Sequence, residues 1–172
     1  MNNHYPVVII GGGQAGLAMS WHLTQKHIRH IVLERHQLAW AWRHQRWDNF
    51  CLVTPNWQCR LPGFPYDGSD PNGFMLRDDI VAYIERYARS FNAPLREGVT
   101  VEQVSQRGEG FLLRTSAGEF LADRLVVAVG NYLRPRFPGL VSAPSEHIVQ
   151  VHVPHSKSAQ KPPAGEGHAL AA

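Results

Sequence analysis

The chain has 172 residues, of which 44% are hydrophobic and 18% charged, an ordinary composition for one globular domain with its own core. Its formal net charge is only +3, and its basic residues are scattered, which argues against nucleic-acid binding. No apolar run approaches the ~20 residues of a transmembrane helix, and the N-terminus lacks the basic region of a signal peptide. These features predict a cytoplasmic protein without a membrane span.

The N-terminal segment has the pattern of a strand, a glycine-rich turn and a helix. Residues 7–10 form an apolar, β-branched run typical of a buried parallel strand. Gly11, Gly13 and Gly16 follow in the spacing G-x-G-x-x-G, in which the glycines permit a tight turn, close approach of a pyrophosphate and close helix packing. We expect the backbone N–H groups of Gly13, Gln14 and Ala15 to face the phosphates, with the helix dipole behind them.

An acidic residue completes this fingerprint. A second apolar strand over residues 31–33 ends in Glu34, about 20 residues beyond the last glycine, where a carboxylate accepts hydrogen bonds from a ribose. Since Glu34 would repel a 2′-phosphate, the site suits FAD or NAD better than NADP. Arg35 is the neighbour that would suit a 2′-phosphate, unless it is simply solvated. The sequence therefore predicts a dinucleotide site.

The cysteines and histidines do not indicate a redox or metal site. Cys51 and Cys59 are the only cysteines, and their spacing matches neither a C-x-x-C redox pair nor a zinc motif. We expect two reduced thiols, although spacing alone leaves a disulfide open. His152 and His155 lack further placed ligands, so no metal site is predicted.

Residues 35–74 are rich in aromatic side chains, interrupted by prolines and poor in periodicity. A stretch of this length without regular structure indicates a functional loop or lid. The alternative is an aromatic packing layer, which we favour for most of the rings. Trp42 and Arg43 are exceptions, for the reason given below.

Regular structure resumes after this region. A helix is predicted from Asp78 or Asp79 to about Phe91, because its apolar residues fall on one stripe and an acid begins it. The apolar residues then recur at every second position, which is typical of strands. This pattern predicts strands near 99–104 and 111–115 and a hairpin arm over 119–122. A separate buried strand over 124–130 ends in Gly130.

Gly130 is the second candidate for the ligand crevice. Ligands of doubly wound sheets lie beyond the carboxyl ends of the strands, which would place Gly130 in the same crevice as the first glycines. The alternative is a glycine that merely ends a strand.

Several segments in a fixed order resemble the N-terminal part of flavoprotein monooxygenases, the flavin-containing and Baeyer–Villiger group, and related bacterial FAD-dependent oxidoreductases. The resemblance covers roughly residues 5–152. It implies an α/β, Rossmann-like FAD/NAD(P)-binding domain, with a parallel sheet, helices and an antiparallel β-hairpin layer, here truncated. The segments are G-G-G-Q-A-G-L-A, L-E-R, W-R, V-T-P-N-W-Q-C-R-L-P-G-F-P-Y and V-A-V-G-N-Y-L-R-P-R-F-P-G.

The resemblance also implies which residues contact FAD. Trp42 and Arg43 match a G-G-x-W stretch that covers the flavin in the family, although this chain has Trp40-Ala41 in place of the glycines. Val101 would contact adenine through its backbone. Thr54 and Asn56 would fall near the isoalloxazine ring. The full implied cofactor-binding set is Gly11, Gly13, Gln14, Ala15, Gly16, Glu34, Arg35, Trp42, Arg43, Val101 and Gly130.

The family's chemistry uses NAD(P)H as co-substrate, oxygen and a small substrate, and the flavin carries the reaction. No catalytic residue is therefore predicted from this sequence. Relatives bind the hydride donor at a second G-x-G-x-x-G after residue 150, and this chain has none. We interpret residues 1–152 as an incomplete FAD-binding domain and 153–172 as a disordered tail.

Three functional hypotheses remain open from the sequence. The first is a flavin-dependent oxidoreductase, a monooxygenase by resemblance, with this chain an inactive fragment that a broken reading frame near residue 152 would explain. The second is a non-catalytic nucleotide-binding remnant or module. The third is an NAD-binding protein without flavin, which the hairpin and the strand ending at Gly130 disfavour.

Overall fold

A computed structural model describes residues 3–130 and the backbone of two later strands. Its strands are β1 (His4–Ile10), β2 (His30–Leu33), β3 (Arg60–Leu61), β4 (Phe64–Pro65), β5 (Leu95–Arg96), β6 (Val101–Arg107), β7 (Gly110–Thr115), β8 (Gly118–Val127), β9 (Ile148–His152) and β10 (Gly167–Ala171). Its helices are α1 (Gln14–Gln25), α2 (Trp40–His44) and α3 (Arg77–Ser90), with a single 3₁₀ turn at Asn56–Gln58.

A six-stranded sheet organises the described residues, in the order β5-β2-β1-β8-β7-β6. Strands β5, β2, β1 and β8 are parallel, and β8, β7 and β6 are antiparallel. The predicted fold class is therefore confirmed: a Rossmann-like parallel sheet with helices and antiparallel hairpin strands. The hairpin is joined edge to edge to the parallel strands through β8.

Strand β8 corrects one detail of the prediction. A hairpin arm over 119–122 and a separate strand over 124–130 were expected, but both belong to one strand of 10 residues that ends at Val127. Its first half pairs with β7 and its second half with β1, and Leu121 and Ala122 pair on both sides. No glycine or proline interrupts residues 119–127, so the chain has no reason to break there.

The sheet is buried on both faces around β1 and β2, whereas β6 at its edge is mostly exposed. Val7, Ile9 and Val32 form one apolar cluster, and Val8 and residues of β2, β7 and β8 form another. This opposite placement of successive residues follows from the alternation of side chains along a strand.

The predicted helix after residue 77 is confirmed, with its apolar stripe buried against α1 and the long loop. The helix begins at Arg77, and the carboxylate of Asp79 accepts a hydrogen bond from the backbone N–H of Leu76 at 3.2 Å. Asp79 thus satisfies a donor that the start of a helix leaves unpaired.

The loop between β2 and α3 contains α2, the 3₁₀ turn and the two-residue strands β3 and β4. Backbone hydrogen bonds tie its two arms together, including Leu52 N–H to Met75 O and Asn56 N–H to Gly73 O. Phe64 packs on Tyr83 and Tyr87 of α3, with ring centroids 5.5 and 5.6 Å apart. The expected aromatic packing layer is confirmed for these rings.

The domain boundary at residue 152 stays a prediction. Residues 131–147 and 153–166 lie outside the described part of the chain, as does the side chain of His152. Within the predicted tail, β10 pairs in parallel with β9. None of the helices in the described residues has the length and apolar character needed to cross a bilayer.

Candidate dinucleotide site

The glycine loop lies at the carboxyl ends of β1, β2 and β8. Gly11 has φ +107°, a left-handed region that side chains disfavour, and its N–H donates to Leu33 O at 2.8 Å. A Cβ at Gly11 would lie only 2.4 Å from Ala128 O. Gly11 therefore turns the chain and lets the end of β8 approach it.

Gly16 and Gly13 have opposite surroundings. A Cβ at Gly16 would lie 2.0 Å from Gly11 O, so Gly16 is required for α1 to pack against the loop. A Cβ at Gly13 would meet no atom within 4 Å. Gly13 is exposed and faces open space, as a position reserved for close approach of a ligand would.

Helix α1 begins without a capping side chain. Its N-cap residue is Gly13, and its first turn carries no acidic residue. The N–H of Leu17 is the first to reach a helical acceptor, Gly13 O at 2.9 Å. The N–H groups of Gln14 and Ala15 have no partner among the described residues. This arrangement fits an anionic group such as a pyrophosphate.

Glu34 stands directly beside this loop. Its Oε2 accepts a hydrogen bond from Gly12 N–H at 2.7 Å, and its Oε1 accepts one from His36 N–H at 3.0 Å. Since each carboxylate oxygen has two lone pairs, each still has one to accept a ribose hydroxyl. The glycine loop and the predicted ribose-binding acid are therefore brought together.

The end of β8 completes the same edge. Ala128 N–H donates to Ile10 O at 2.8 Å, and Gly130, two residues on, has φ +73°. Gly130 therefore lies two residues after Ala128, the residue whose carbonyl packs against Gly11. The expected crevice between the two glycine segments agrees with this geometry.

Trp42 and Arg43 make their contacts elsewhere. The Trp42 ring lies 5.8 Å from the ring of Phe50 and 4.9 Å from the guanidinium of Arg46. The Arg43 guanidinium pairs with Glu85 of α3. The cofactor contacts of Trp42 and Arg43 therefore stay predictions. The same holds for Arg35, which is exposed, and for Val101, which pairs with Thr115 in the sheet.

Asn56 was predicted to lie near the isoalloxazine ring, but its side chain is engaged within the long loop. Its buried amide donates to Asp70 O at 2.9 Å and accepts from Met75 N–H at 2.7 Å. These bonds tie together the two arms of the loop, so Asn56 has a structural function. Thr54 is exposed.

A stack of rings beside Glu34 was not predicted. The His36 ring stacks on Trp40 at 4.1 Å, and Trp40 lies 5.0 Å from His44. The helical spacing of four residues within α2 could have indicated the Trp40–His44 contact, but His36 precedes the helix and no sequence signal indicates its stacking.

Three groups whose pKa is raised by burial, Cys59, Tyr83 and Tyr87, lie in or under the long loop. Cys51 and Cys59 are free thiols, as predicted, and burial raises the pKa of Cys59, which disfavours its reactive thiolate. Burial also raises the pKa of Tyr83, and it raises the pKa of Tyr87 to about 12. These groups are structural rather than reactive.

A shallow groove of about 550 Å³ lies between the start of β1 and the β6–β7 turn. Its lining includes His4 and Asp123, which form an exposed hydrogen bond with His4 Nε2 2.7 Å from Asp123 Oδ1. Because β1 starts here and ends at the glycine loop, the groove is at the opposite edge of the sheet.

Comparison with known proteins identifies the family. The sequence profile of the pyridine nucleotide-disulphide oxidoreductase family matches residues 8–163. The chain belongs to this family. An uncharacterized CzcO-like oxidoreductase of Geobacillus kaustophilus, a relative, is 36% identical over 153 residues, 88% of this chain and 43% of the relative. Indole-3-pyruvate monooxygenase YUCCA1 of Oryza sativa subsp. japonica is 37% identical over 140 residues, 77% of this chain and 34% of that one.

Solved structures agree with this family. A flavin-containing monooxygenase from Stenotrophomonas maltophilia has a TM-score of 0.78 and 27% identity, over 92% of this chain and 48% of that chain. The resemblance to flavoprotein monooxygenases is thereby confirmed. A complex of OTEMO with FAD and NADP, only 15% identical, shares the fold with a TM-score of 0.67. The chain spans less than half the length of the curated relatives it matches.

Proposed function

We propose that this chain binds FAD as the first nucleotide-binding part of an NAD(P)H-dependent flavoprotein monooxygenase. The observation that carries the proposal is the uncapped start of α1, where Gly13 faces open space and the N–H groups of Gln14 and Ala15 have no partner among residues 3–130. The names of similar proteins, which include flavin-containing and indole-3-pyruvate monooxygenases, support the flavin over other dinucleotides.

The residues of the chain would bind and orient the cofactor. Backbone N–H groups of Gly13, Gln14 and Ala15 would donate to the pyrophosphate, with the α1 dipole adding attraction. Glu34 would accept hydrogen bonds from the adenosine ribose and disfavour a 2′-phosphate at this site. When bound, the flavin supplies the redox chemistry. A small substrate, oxygen and NAD(P)H are the proposed co-reactants.

A titration with FAD tests this proposal. The purified chain should bind FAD with a shift of flavin absorption or fluorescence. Gly13→Ala should fold as the wild type does, because its Cβ enters open space, but it should weaken FAD binding at least tenfold, or about 1.4 kcal/mol, by obstructing the pyrophosphate.

A second glycine provides the matched control. Gly108 lies in the β6–β7 turn with φ +61° and open space around it. Gly108→Ala should lower stability through backbone strain and leave the FAD affinity unchanged. A folded wild-type chain that does not bind FAD, or a Gly13→Ala variant that binds it equally well, would refute the proposal.

A further inference from the structure

The first glycine triplet contains one residue that the fingerprint leaves unexplained. Gly11, Gly13 and Gly16 fill the glycine positions of G-x-G-x-x-G, whereas Gly12 fills a position open to any residue. Gly12 does not have a left-handed φ, so a tight turn does not require it. Its function has to be sought in what surrounds it.

Gly12 lies against the side chain of Glu34. A Cβ at Gly12 would be 3.1 Å from Glu34 Cβ and 3.3 Å from Glu34 Cγ, with Leu95 Cδ1 at 3.2 Å. These distances are shorter than ordinary van der Waals contact, so any side chain here would displace Glu34 or Leu95. The missing side chain at Gly12 makes room for the stem of Glu34.

The carboxylate at the end of that stem bonds back to the same glycine. Glu34 Oε2 accepts from the buried Gly12 N–H at 2.7 Å, and Oε1 accepts from His36 N–H at 3.0 Å. The backbone of Glu34 is itself fixed, because its N–H donates to Arg96 O and its C=O accepts from Val99 N–H. The carboxylate therefore connects the loop to a rigid end of the sheet.

We infer that Glu34 is a positioning residue for the phosphate-binding loop, in addition to the ribose contact of the proposed function on which this inference rests. Through Gly12, it holds the N–H groups of Gly13, Gln14 and Ala15 in place before any nucleotide arrives. Preorganised donors bind an anion more tightly because binding does not have to order them. Phosphate affinity should then depend on Glu34 even for a ligand without ribose hydroxyls.

Glu34→Gln provides the test, with ADP and 2′,3′-dideoxy-ADP as probes. Gln has nearly the same shape, but an NH₂ group replaces one accepting oxygen, so one of the two backbone donors faces another donor. We expect binding of the dideoxy nucleotide to weaken about tenfold, since a hydrogen bond to a charged group is lost. A ribose contact alone would weaken ADP and leave the dideoxy nucleotide unaffected.

Amide hydrogen exchange in the ligand-free chain gives a readout independent of binding. The Gly12 amide should exchange about tenfold faster in Glu34→Gln than in the wild type. Glu97→Gln is the matched control, because Glu97 also accepts a backbone hydrogen bond, from Leu38 N–H at 2.5 Å. It should accelerate exchange at Leu38 and leave Gly12 unchanged.

Gly12→Ala provides a second variant that retains the carboxylate. By displacing the stem of Glu34, it should also accelerate exchange at residue 12 and weaken dideoxy-ADP. Wild-type exchange at Gly12 and wild-type dideoxy-ADP affinity in Glu34→Gln would overturn the inference. If the wild-type chain binds neither ADP nor dideoxy-ADP, the FAD titration still decides the proposed function, and amide exchange alone decides the role of Glu34.

Discussion

Gly16 and Gly13 belong to one fingerprint but would respond to a methyl group in opposite ways. At Gly16 the methyl carbon would lie 2.0 Å from Gly11 O, inside the folded protein. At Gly13 it would enter open space. One glycine therefore serves the packing of α1, and the other leaves the space that we propose for the ligand.

Gly16→Ala should destabilise the chain by about 1–3 kcal/mol, the usual cost of overpacking, because α1 has to move away from the loop. Chemical denaturation measures this, with Gly13→Ala as the reference variant at nearly wild-type stability. Equal stability of the two variants would contradict the assigned packing of α1.

Tyr83 and Tyr87 lie one turn apart on α3 and form a second matched pair. The Tyr83 hydroxyl accepts from Leu61 N–H at 3.2 Å and donates to Phe64 O at 2.5 Å. The Tyr87 hydroxyl is buried and has no partner among the described residues. Tyr83→Phe should cost about 1–3 kcal/mol of stability, and Tyr87→Phe should be neutral or stabilising by up to about 1 kcal/mol. A Tyr87→Phe loss as large as that of Tyr83→Phe would show that Tyr87 has a partner.

The raised pKa of Tyr87 predicts how stability changes with pH. Burial raises that pKa to about 12, against about 10 in an unfolded chain. Between these values the unfolded state loses a proton that the folded state keeps, so stability falls as the pH rises. The stability of Tyr87→Phe relative to wild type should therefore grow from pH 10 to pH 12 in denaturation experiments. A difference that stays constant over this window would contradict the burial of the hydroxyl.

At the scale of elements, a buried polar pair joins α1 to β2. Ser20 and His30 are both buried, and Ser20 Oγ lies 2.8 Å from His30 Nε2. Because His30 Nδ1 donates to Ile28 O at 2.8 Å, its Nε2 is the acceptor and the Ser20 hydroxyl the donor. This pair fixes α1, whose start is the proposed phosphate site, to β2, which Glu34 follows directly.

Ser20→Ala should destabilise the chain by about 1–3 kcal/mol, because it leaves His30 Nε2 buried without a donor. Ser105, exposed on β6, is the control, and Ser105→Ala should stay within about 0.5 kcal/mol of wild type. Thermal or urea unfolding measures both. If the two variants are equally stable, Ser20 and His30 do not form the assigned hydrogen bond.

Local sequence pattern predicted β1, β2, β6 and β7, and it was wrong about β8, whose two halves pair with different strands. The predicted hairpin arm ended at Ala122 and the predicted separate strand began at Arg124, which left Asp123 between them. In the structure Asp123 and Arg124 lie in the middle of β8, where the strand passes from β7 to β1, and Asp123 pairs with His4 at the sheet edge. Pairing between residues this far apart in the chain leaves no periodic signal.

The candidate site also has features that the sequence predicted and features that it did not. Glycine spacing and the acid after β2 predicted the residues that the structure brings together, because a βαβ unit is local in sequence. The hydrogen bond that Glu34 accepts from Gly12 N–H depends on side-chain geometry, which no spacing reveals. Likewise, the packing of Trp42 on Phe50 and the pairing of Arg43 with Glu85 follow from the course of the long loop.

At the scale of the whole molecule, the glycine loop, Glu34 and the end of β8 lie together at the carboxyl ends of the parallel strands. The chain spans less than half the length of its curated relatives and contains one G-x-G-x-x-G. We expect the isolated chain to bind FAD without oxidising NADPH, since no second fingerprint is present to bind the hydride donor. Steady-state absorbance at 340 nm (a property of NADPH) measures this. FAD-dependent NADPH oxidation above the rate of free FAD would contradict it.

The most direct test of the proposed nucleotide site is a ¹H–¹⁵N NMR titration of the chain with FAD. The amides of Gly13, Gln14 and Ala15 should shift most, because their N–H groups would donate to the pyrophosphate. Amides around the opposite groove, such as Glu109 and Gly110, should stay in place. Shifts confined to that groove, or no shifts in a folded chain, would contradict the assignment of the glycine loop as the nucleotide site.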